Sequence, residues 1–239
     1  MTLILRTGAV TDIGLVRSNN EDCAFVGRRL LVVADGMGGL PAGELASELL
    51  VQALAGLDEM TDLGDPLPAL RAAVHAGNQD IRSAAAGDEA REGMGTTVTA
   101  LLLADDELAL LNVGDSRCYR VRDGQLTQLT RDDTYVQALV DQGALSPADA
   151  RRHPQRALVT KAVQGEPLAP AGMVLKVQPG DRYLLCSDGL SDYVDDDLID
   201  QTLRSYPDPQ QCAGELVKRA LAVGAPDNVT VIVADIATD

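Results

Sequence analysis

The 239-residue sequence has no tryptophan, one phenylalanine and five tyrosines. A core built on aromatic stacking is excluded, so Leu, Val, Ile and Ala must fill it. Its two histidines, His75 and His153, are too few for a zinc centre. Four cysteines, Cys23, Cys118, Cys186 and Cys212, make no Cys-x-x-Cys pair and show no metal-like spacing. Cys118 and Cys186 fall inside expected strands, and the four read as reduced thiols of a cytoplasmic protein. No apolar run approaches the roughly 18 residues of a membrane span. The opening "MTLILRTGAVTD" lacks the basic start and small-residue cleavage site of a signal peptide. Basic residues are outnumbered, 20 Lys and Arg against 36 Asp and Glu, for a net charge of −16. That balance argues against nucleic-acid and anionic-membrane partners. It leaves a solvated acidic surface, carboxylates gathered for cations, or both.

What is present reads as one globular domain over residues 1–239. Residues 23–34 suggest two short strands around a basic turn. "PAGELASELLVQALAGL" (41–57) repeats Leu45, Leu49, Ala53 and Leu57 at four-residue steps, a helix opening on Pro41. A second helix follows Pro66 through Leu70, Val74, Gly77 and Ile81. The acidic stretch 87–95 reads as a loop. Strands are expected at "TTVTALLLA", "ELALLNV", "RCYRVR" and "QLTQLT", the last two joined by Asp123-Gly124, a type I′ hairpin signal. Residues 133–152 read as helical with a break at Gly143. Further strands are expected near 157–163, 173–177 and 182–187, helices at 195–205 and 209–223, and a central closing strand at "NVTVIVADI". Strands in antiparallel blocks and helices in pairs favour an α+β layered domain over a doubly wound parallel sheet.

Four apolar runs end on or lead up to an acid: "LLVVAD" at Asp35, "LALLNVGD" at Asp115, "YLLCSD" at Asp188 and "AVGAPD" at Asp227. Singly, each has an ordinary reading as a turn-capping Asp. Together, with "NNED" at 19–22, they read as strand ends that carry carboxylates to a common point. Adjacent strands lie about 4.8 Å apart, and such a cluster repels itself unless some members stay protonated or cations intervene. All-oxygen donors favour hard Mg²⁺ or Mn²⁺, and paired ions activate water for attack on phosphorus. "DGMGG" is no nucleotide loop, since it lacks the third glycine of a dinucleotide fingerprint and no Gly-Lys-Ser/Thr follows. Gly36 reads instead as a position where a main-chain carbonyl approaches a cation. Arg17, four residues before Glu21, can grip a phosphate in a bidentate fork or pair with a nearby acid.

"TDIGLVRSNNED", "ADGMGG", "GMGTT", "NVGDSRCY", "LTRDDTYVQALVDQG", "HPQR", "LCSDGLSD" and "PDNVTVIV" occur in the order and spacing of the metal-dependent PP2C-type (PPM family) serine/threonine protein phosphatases. The likeness runs from about residue 7 to 236 and is strongest to actinobacterial members that oppose transmembrane Ser/Thr kinases. It implies a four-layer α-β-β-α sandwich of two antiparallel sheets flanked by helix pairs. It implies two core Mn²⁺ or Mg²⁺ ions, with Asp35 bridging, the Gly36 carbonyl on one, and Asp188 and Asp227 completing the second site. A weaker third ion falls to Asp115 and Asp188. Glu21 and Asp22 act through water, Arg17 takes the substrate phosphate, and Asp192 and Asn228 lie one layer out. The implied reaction is in-line attack of a metal-activated water on phosphoserine or phosphothreonine, with no phosphoenzyme. No Cys-x5-Arg loop supports a cysteine nucleophile.

Met37 stands where eukaryotic members carry a histidine general acid, which leaves that role to metal-bound water. His153 reads as a structural loop residue and His75 as exposed. Residues 131–156 match the family's flap, which bears on substrate choice. Expected partners are phosphorylated proteins, among them Ser/Thr kinases and their substrates, met by a cytoplasmic monomer. Any membrane tether would belong to a longer parent. Two alternatives stay open: a catalytically silent regulatory module of the same fold, and a phosphomonoesterase for small molecules.

Overall fold

A computed structural model of the chain describes residues 2–38, 42–60 and 64–239. Its strands are β1 (Leu3–Asp12), β2 (Asp22–Val26), β3 (Leu30–Met37), β4 (Gly95–Thr96), β5 (Val98–Ala104), β6 (Glu107–Val113), β7 (Arg117–Arg122), β8 (Gln125–Gln128), β9 (Ala171–Lys176), β10 (Arg182–Cys186) and β11 (Val229–Thr238). The helices are α1 (Ala42–Ala55), α2 (Pro66–Ala85), α3 (Tyr135–Asp141), α4 (Pro147–Ala150), α5 (Asp188–Ser191), α6 (Asp196–Ser205) and α7 (Pro209–Ala222). One sheet has the order β1-β11-β10-β7-β8; the other runs β2-β3-β5-β6-β9, with β4 added to β3. Neighbouring strands are antiparallel in both.

Alternation along each strand builds the layers. On β3, Leu31 and Val33 pack between the sheets against Leu101, Leu185 and Ile232. Leu30, Val32 and Ala34 face the other way, onto Leu50 and Leu54 of α1 and Leu70, Val74 and Ile81 of α2. The outer face of the first sheet, with Leu184, Cys186, Val231 and Val233, is covered by Ile199 and Leu203 of α6 and Leu216 and Val217 of α7. A strand buried on both faces reads as a continuous apolar run, which is why "LLVVA" shows no alternation. The four-layer sandwich stands as expected, with β11 inside its sheet.

Local signals hold in detail. Asp123 and Gly124 have φ of 51° and 72°, the type I′ geometry. Gly77 lets α2 close on α1, because a Cβ there would lie 2.7 Å from Leu50 Cδ1. Pro41, expected to open α1, lies outside the described residues. Cys118, Cys186 and Cys212 are buried, Cys23 is partly covered, and all four are free thiols.

Three elements differ from expectation. The N-terminal segment, for which no strand was expected, is the ten-residue strand β1, paired with β11 along its whole length. Residues 157–163 form no strand but two isolated bridges, Thr134 with Val159 and Thr96 with Val163. The short helix α5 follows β10 after Ser187 alone, so Asp188 opens a helix rather than ending the strand.

Candidate active site

Strand ends at one end of the sandwich deliver Asp35, Asp115, Asp188 and Asp227 to a single cavity of about 600 Å³. Arg17, Glu21, Gly36, Met37 and Thr97 line it too, and Ala157, Leu158 and Val159 complete its wall. Asp22 heads β2 directly opposite Asp35 on β3.

The backbone under these carboxylates is tightly bound. The Asp35 N–H donates to Thr97 Oγ1 (3.0 Å), and its carbonyl accepts from the Thr97 N–H (2.9 Å) and the Thr96 hydroxyl (3.0 Å). Gly36 is required by its surroundings, since a Cβ there would lie 2.2 Å from the Gly43 carbonyl oxygen and 2.7 Å from that of Glu21. The close approach that demands glycine here is thus between main chains, β3 against the first turn of α1. Asn228 organises the loop that carries Arg17. Its Oδ1 accepts from the Glu21 N–H (2.9 Å), and its Nδ2 donates to the carbonyls of Ile13 (3.0 Å) and Asn19 (2.9 Å). Sequence reasoning missed Ser187, whose hydroxyl donates to Asp22 Oδ2 (2.8 Å) while accepting from the Thr230 N–H (2.9 Å). It missed Thr97 as well. Hydroxyls beside motif residues carry no periodic signal of their own.

Burial and crowding push these acids toward their neutral forms. Asp35 is held well above the usual carboxylate range by burial, then by Asp22, Asp188, Asp115 and Asp227. Asp188 is raised likewise by burial, then by Asp115, Asp192 and Asp227. Burial raises Asp115 to about 7, with help from Asp132 and Asp192, and Asp22 to about 6 against its hydroxyl hydrogen bonds. Arg17 rests on Asp227, Nη2 to Oδ2 at 2.7 Å, and that hydrogen bond raises its pKa further. The guanidinium therefore reaches the cavity paired with an acid.

Among the described residues, no three or more His, Cys, Asp or Glu side chains are already closed into a ligand set. The chemistry of the carboxylates nevertheless suits a hard divalent ion. The donors are all oxygen, and Asp22 Oδ1 is buried with no hydrogen-bond partner.

Residues 131–156, the stretch expected to form a flap, are fastened beside the cavity by ion pairs. Arg151 reaches Asp196 (2.7 Å), and Arg156 reaches Asp192 (3.2 Å) while lying over the Tyr193 ring. Arg117 forks onto Asp132 at the base. Asp192 thus sits between this segment and the acidic cluster. His153 lies in the same segment with Nδ1 accepting from the Gln155 N–H (3.1 Å), outside the cavity wall, and His75 is exposed on α2.

The family model for protein phosphatase 2C matches residues 18–222. The chain belongs to the protein phosphatase 2C family. It is 51% identical over 236 residues to the serine/threonine protein phosphatase PstP of Mycobacterium tuberculosis, covering 99% of this chain and 46% of that protein. The chain therefore spans just under half the length of this curated relative. It is 33% identical to the serine/threonine phosphatase stp of Listeria monocytogenes, over 94% of this chain and 93% of that one. The crystal structure of the M. tuberculosis PstP phosphatase superposes with a TM-score of 0.96 at 51% identity, covering 98% of this chain and 100% of the other. That of the PstP catalytic domain in complex with two manganese ions gives 0.94 at 49% identity, covering 99% and 100%. In this protein phosphatase 2C chain, Met37 lines the cavity, and no histidine does so among the described residues.

Proposed function

We propose that this chain is a metal-dependent protein phosphatase that hydrolyses phosphoserine and phosphothreonine, working as one catalytic domain with its flap at 131–156. The observation that carries the reading is the convergence of Asp35, Asp115, Asp188, Asp227 and Arg17, distant in sequence, on one cavity. Asp35, the Gly36 carbonyl, Asp188 and Asp227 hold two divalent ions, Mn²⁺ or Mg²⁺, and Asp115 with Asp188 offers a weaker third position. Glu21 and Asp22 act through water. The PstP structure with two manganese ions supports the two-ion reading for a relative of this chain.

Bound ions would supply a water acidified for attack and would offset the charge of the phosphate. The rest falls to the protein. Arg17 exchanges Asp227 for the phosphate oxygens, which present a bidentate partner to its fork. Asn228 fixes the loop from which Arg17 extends. Ser187 orients Asp22, and the Thr96–Thr97 pair fixes the Asp35 backbone. Partners in this reading are phosphorylated proteins, including Ser/Thr kinases and their substrates, and the domain acts as a cytoplasmic monomer. Among the described residues no helix is long and apolar enough to cross a membrane.

The test is turnover of phosphothreonine peptides with Mn²⁺, compared with sugar phosphates and p-nitrophenyl phosphate. Asp35→Ala and Asp227→Asn should each lower peptide turnover by at least about a hundredfold while circular dichroism shows the fold retained. Full metal-dependent activity in either variant would sink the assignment. Preferential turnover of sugar phosphates would point to a small-molecule phosphomonoesterase. A wild-type sample inert on every substrate would point to a silent module.

A further inference from the structure

One wall of the cavity has no part in holding cations or phosphate. Ala157, Leu158 and Val159 supply it, facing a site otherwise lined by charged and polar groups apart from Met37. Leu158 is 49% exposed, an apolar side chain left at the mouth of an acidic pocket. A single exposed leucine is common on any surface; this one differs in its placement and in how firmly it is held. Its carbonyl accepts from the Tyr135 N–H (2.9 Å) and its own N–H donates to Gln155 (3.1 Å). Val159 bridges Thr134, and the Thr160 N–H donates to the Asp133 carbonyl (2.7 Å). The segment is a shelf in which both main-chain groups of Leu158 are hydrogen-bonded while its side chain stays open to a ligand. Tyr135, whose N–H makes that bond, is also exposed.

We infer that Leu158 is a specificity-determining residue, a shelf that receives an apolar side chain adjacent to the phosphorylated residue of a peptide substrate. This rests on the phosphatase reading of the same cavity. A peptide whose phosphate reaches Arg17 must pass its flanking residues over the cavity mouth, and an apolar neighbour there buries its surface against Leu158 and Val159. A polar neighbour of similar size gains nothing from the shelf. Selectivity from one such contact is modest, as expected for apolar pockets.

The experiment compares kcat/KM, with Mn²⁺, for two phosphothreonine peptides that differ only in carrying leucine or serine on both sides of the phosphoresidue. Wild type should favour the leucine peptide by about fivefold. Leu158→Ser should reduce that ratio to within about twofold, whereas Leu158→Met, which keeps an apolar shelf, should retain it. A wild-type ratio near one, or a Leu158→Ser variant with the ratio intact, would overturn the inference while leaving the phosphatase reading standing. Failure of wild type to turn over either peptide would overturn both.

Discussion

At the residue scale, Asn228 shows how one side chain governs a site it does not enter. Its three hydrogen bonds reach Ile13, Asn19 and Glu21, so they span the loop that presents Arg17. Asn228→Ala removes all three and leaves main-chain groups near the surface of the site unpaired. The unfolding free energy should fall by about 2 kcal/mol, and KM for phosphopeptides should rise more than kcat falls, both measurable by denaturant titration and steady-state kinetics. Gly36 makes the complementary point about what must be absent. Gly36→Ala places a methyl against the Gly43 carbonyl and should cost about 1–3 kcal/mol through displacement of α1, read as a lower midpoint of thermal unfolding. The acids of the site were legible in the sequence because a carboxylate at the tip of an apolar run is conspicuous. Ser187 and Thr97 were not, since a hydroxyl next to a motif has many ordinary uses and only its partners reveal this one.

Among elements, the segment 131–156, proposed as a flap, depends more on a few ion pairs than on a core. Of its helices, α3 buries only Val136 and α4 only Ala150, so Arg151–Asp196 and Arg156–Asp192 hold the segment in place. Partly exposed pairs of this kind contribute at most about 1 kcal/mol each. A double variant, Arg151→Ala with Arg156→Ala, should therefore exchange amide hydrogens faster across residues 144–156 and leave global unfolding almost unchanged. Raised salt should loosen the same segment in the wild type. Element boundaries explain where sequence reading stopped short. β1 escaped notice because Arg6, Thr7 and Gly8 interrupt its apolar pattern; Gly8 is there because Gln210 of α7 crosses it, and a Cβ would lie 2.2 Å from the Gln210 nitrogen. Residues 157–163 carry strand-like composition, but beyond the two bridges they have no continuous edge to pair with, and Leu158 is turned to the cavity instead.

For the molecule as a whole, the crowded acids couple stability to pH and to cations. Asp22 and Asp115, at about 6 and about 7, bind protons more tightly in the fold than an unfolded chain with ordinary carboxyls would. The folded state thus holds more protons than the unfolded state between roughly pH 4 and 7, and stability without divalent ions falls as pH rises through that window. Manganese should relieve the same repulsion. The rise in melting temperature on adding Mn²⁺ should be larger at pH 8 than at pH 5, checked by differential scanning fluorimetry; an equal shift at both values would contradict the coupling. The layered architecture itself was readable from the chain because each buried strand and each helix pair kept its own period. The acids marked which strand ends meet, but the two sheet orders that bring them together were not readable, because those are set by contacts distant in sequence.

The pairing of β1 with β11 has a practical side. Both strands have their cavity ends at Asp12 and Val229, and at the opposite end the Asp239 N–H donates to the Thr2 carbonyl (3.0 Å). Ten strand residues separate that point from the loops of the site, a span of about 30 Å. A tag, fluorophore or fusion partner joined to this 239-residue chain next to Thr2 or Asp239 would hang from the far pole of the sandwich, so immobilising the chain there leaves the cavity mouth facing solution. The same adjacency makes a short linker between the two ends, with new termini opened in a surface turn such as Asp123-Gly124, a reasonable route to a circular permutant.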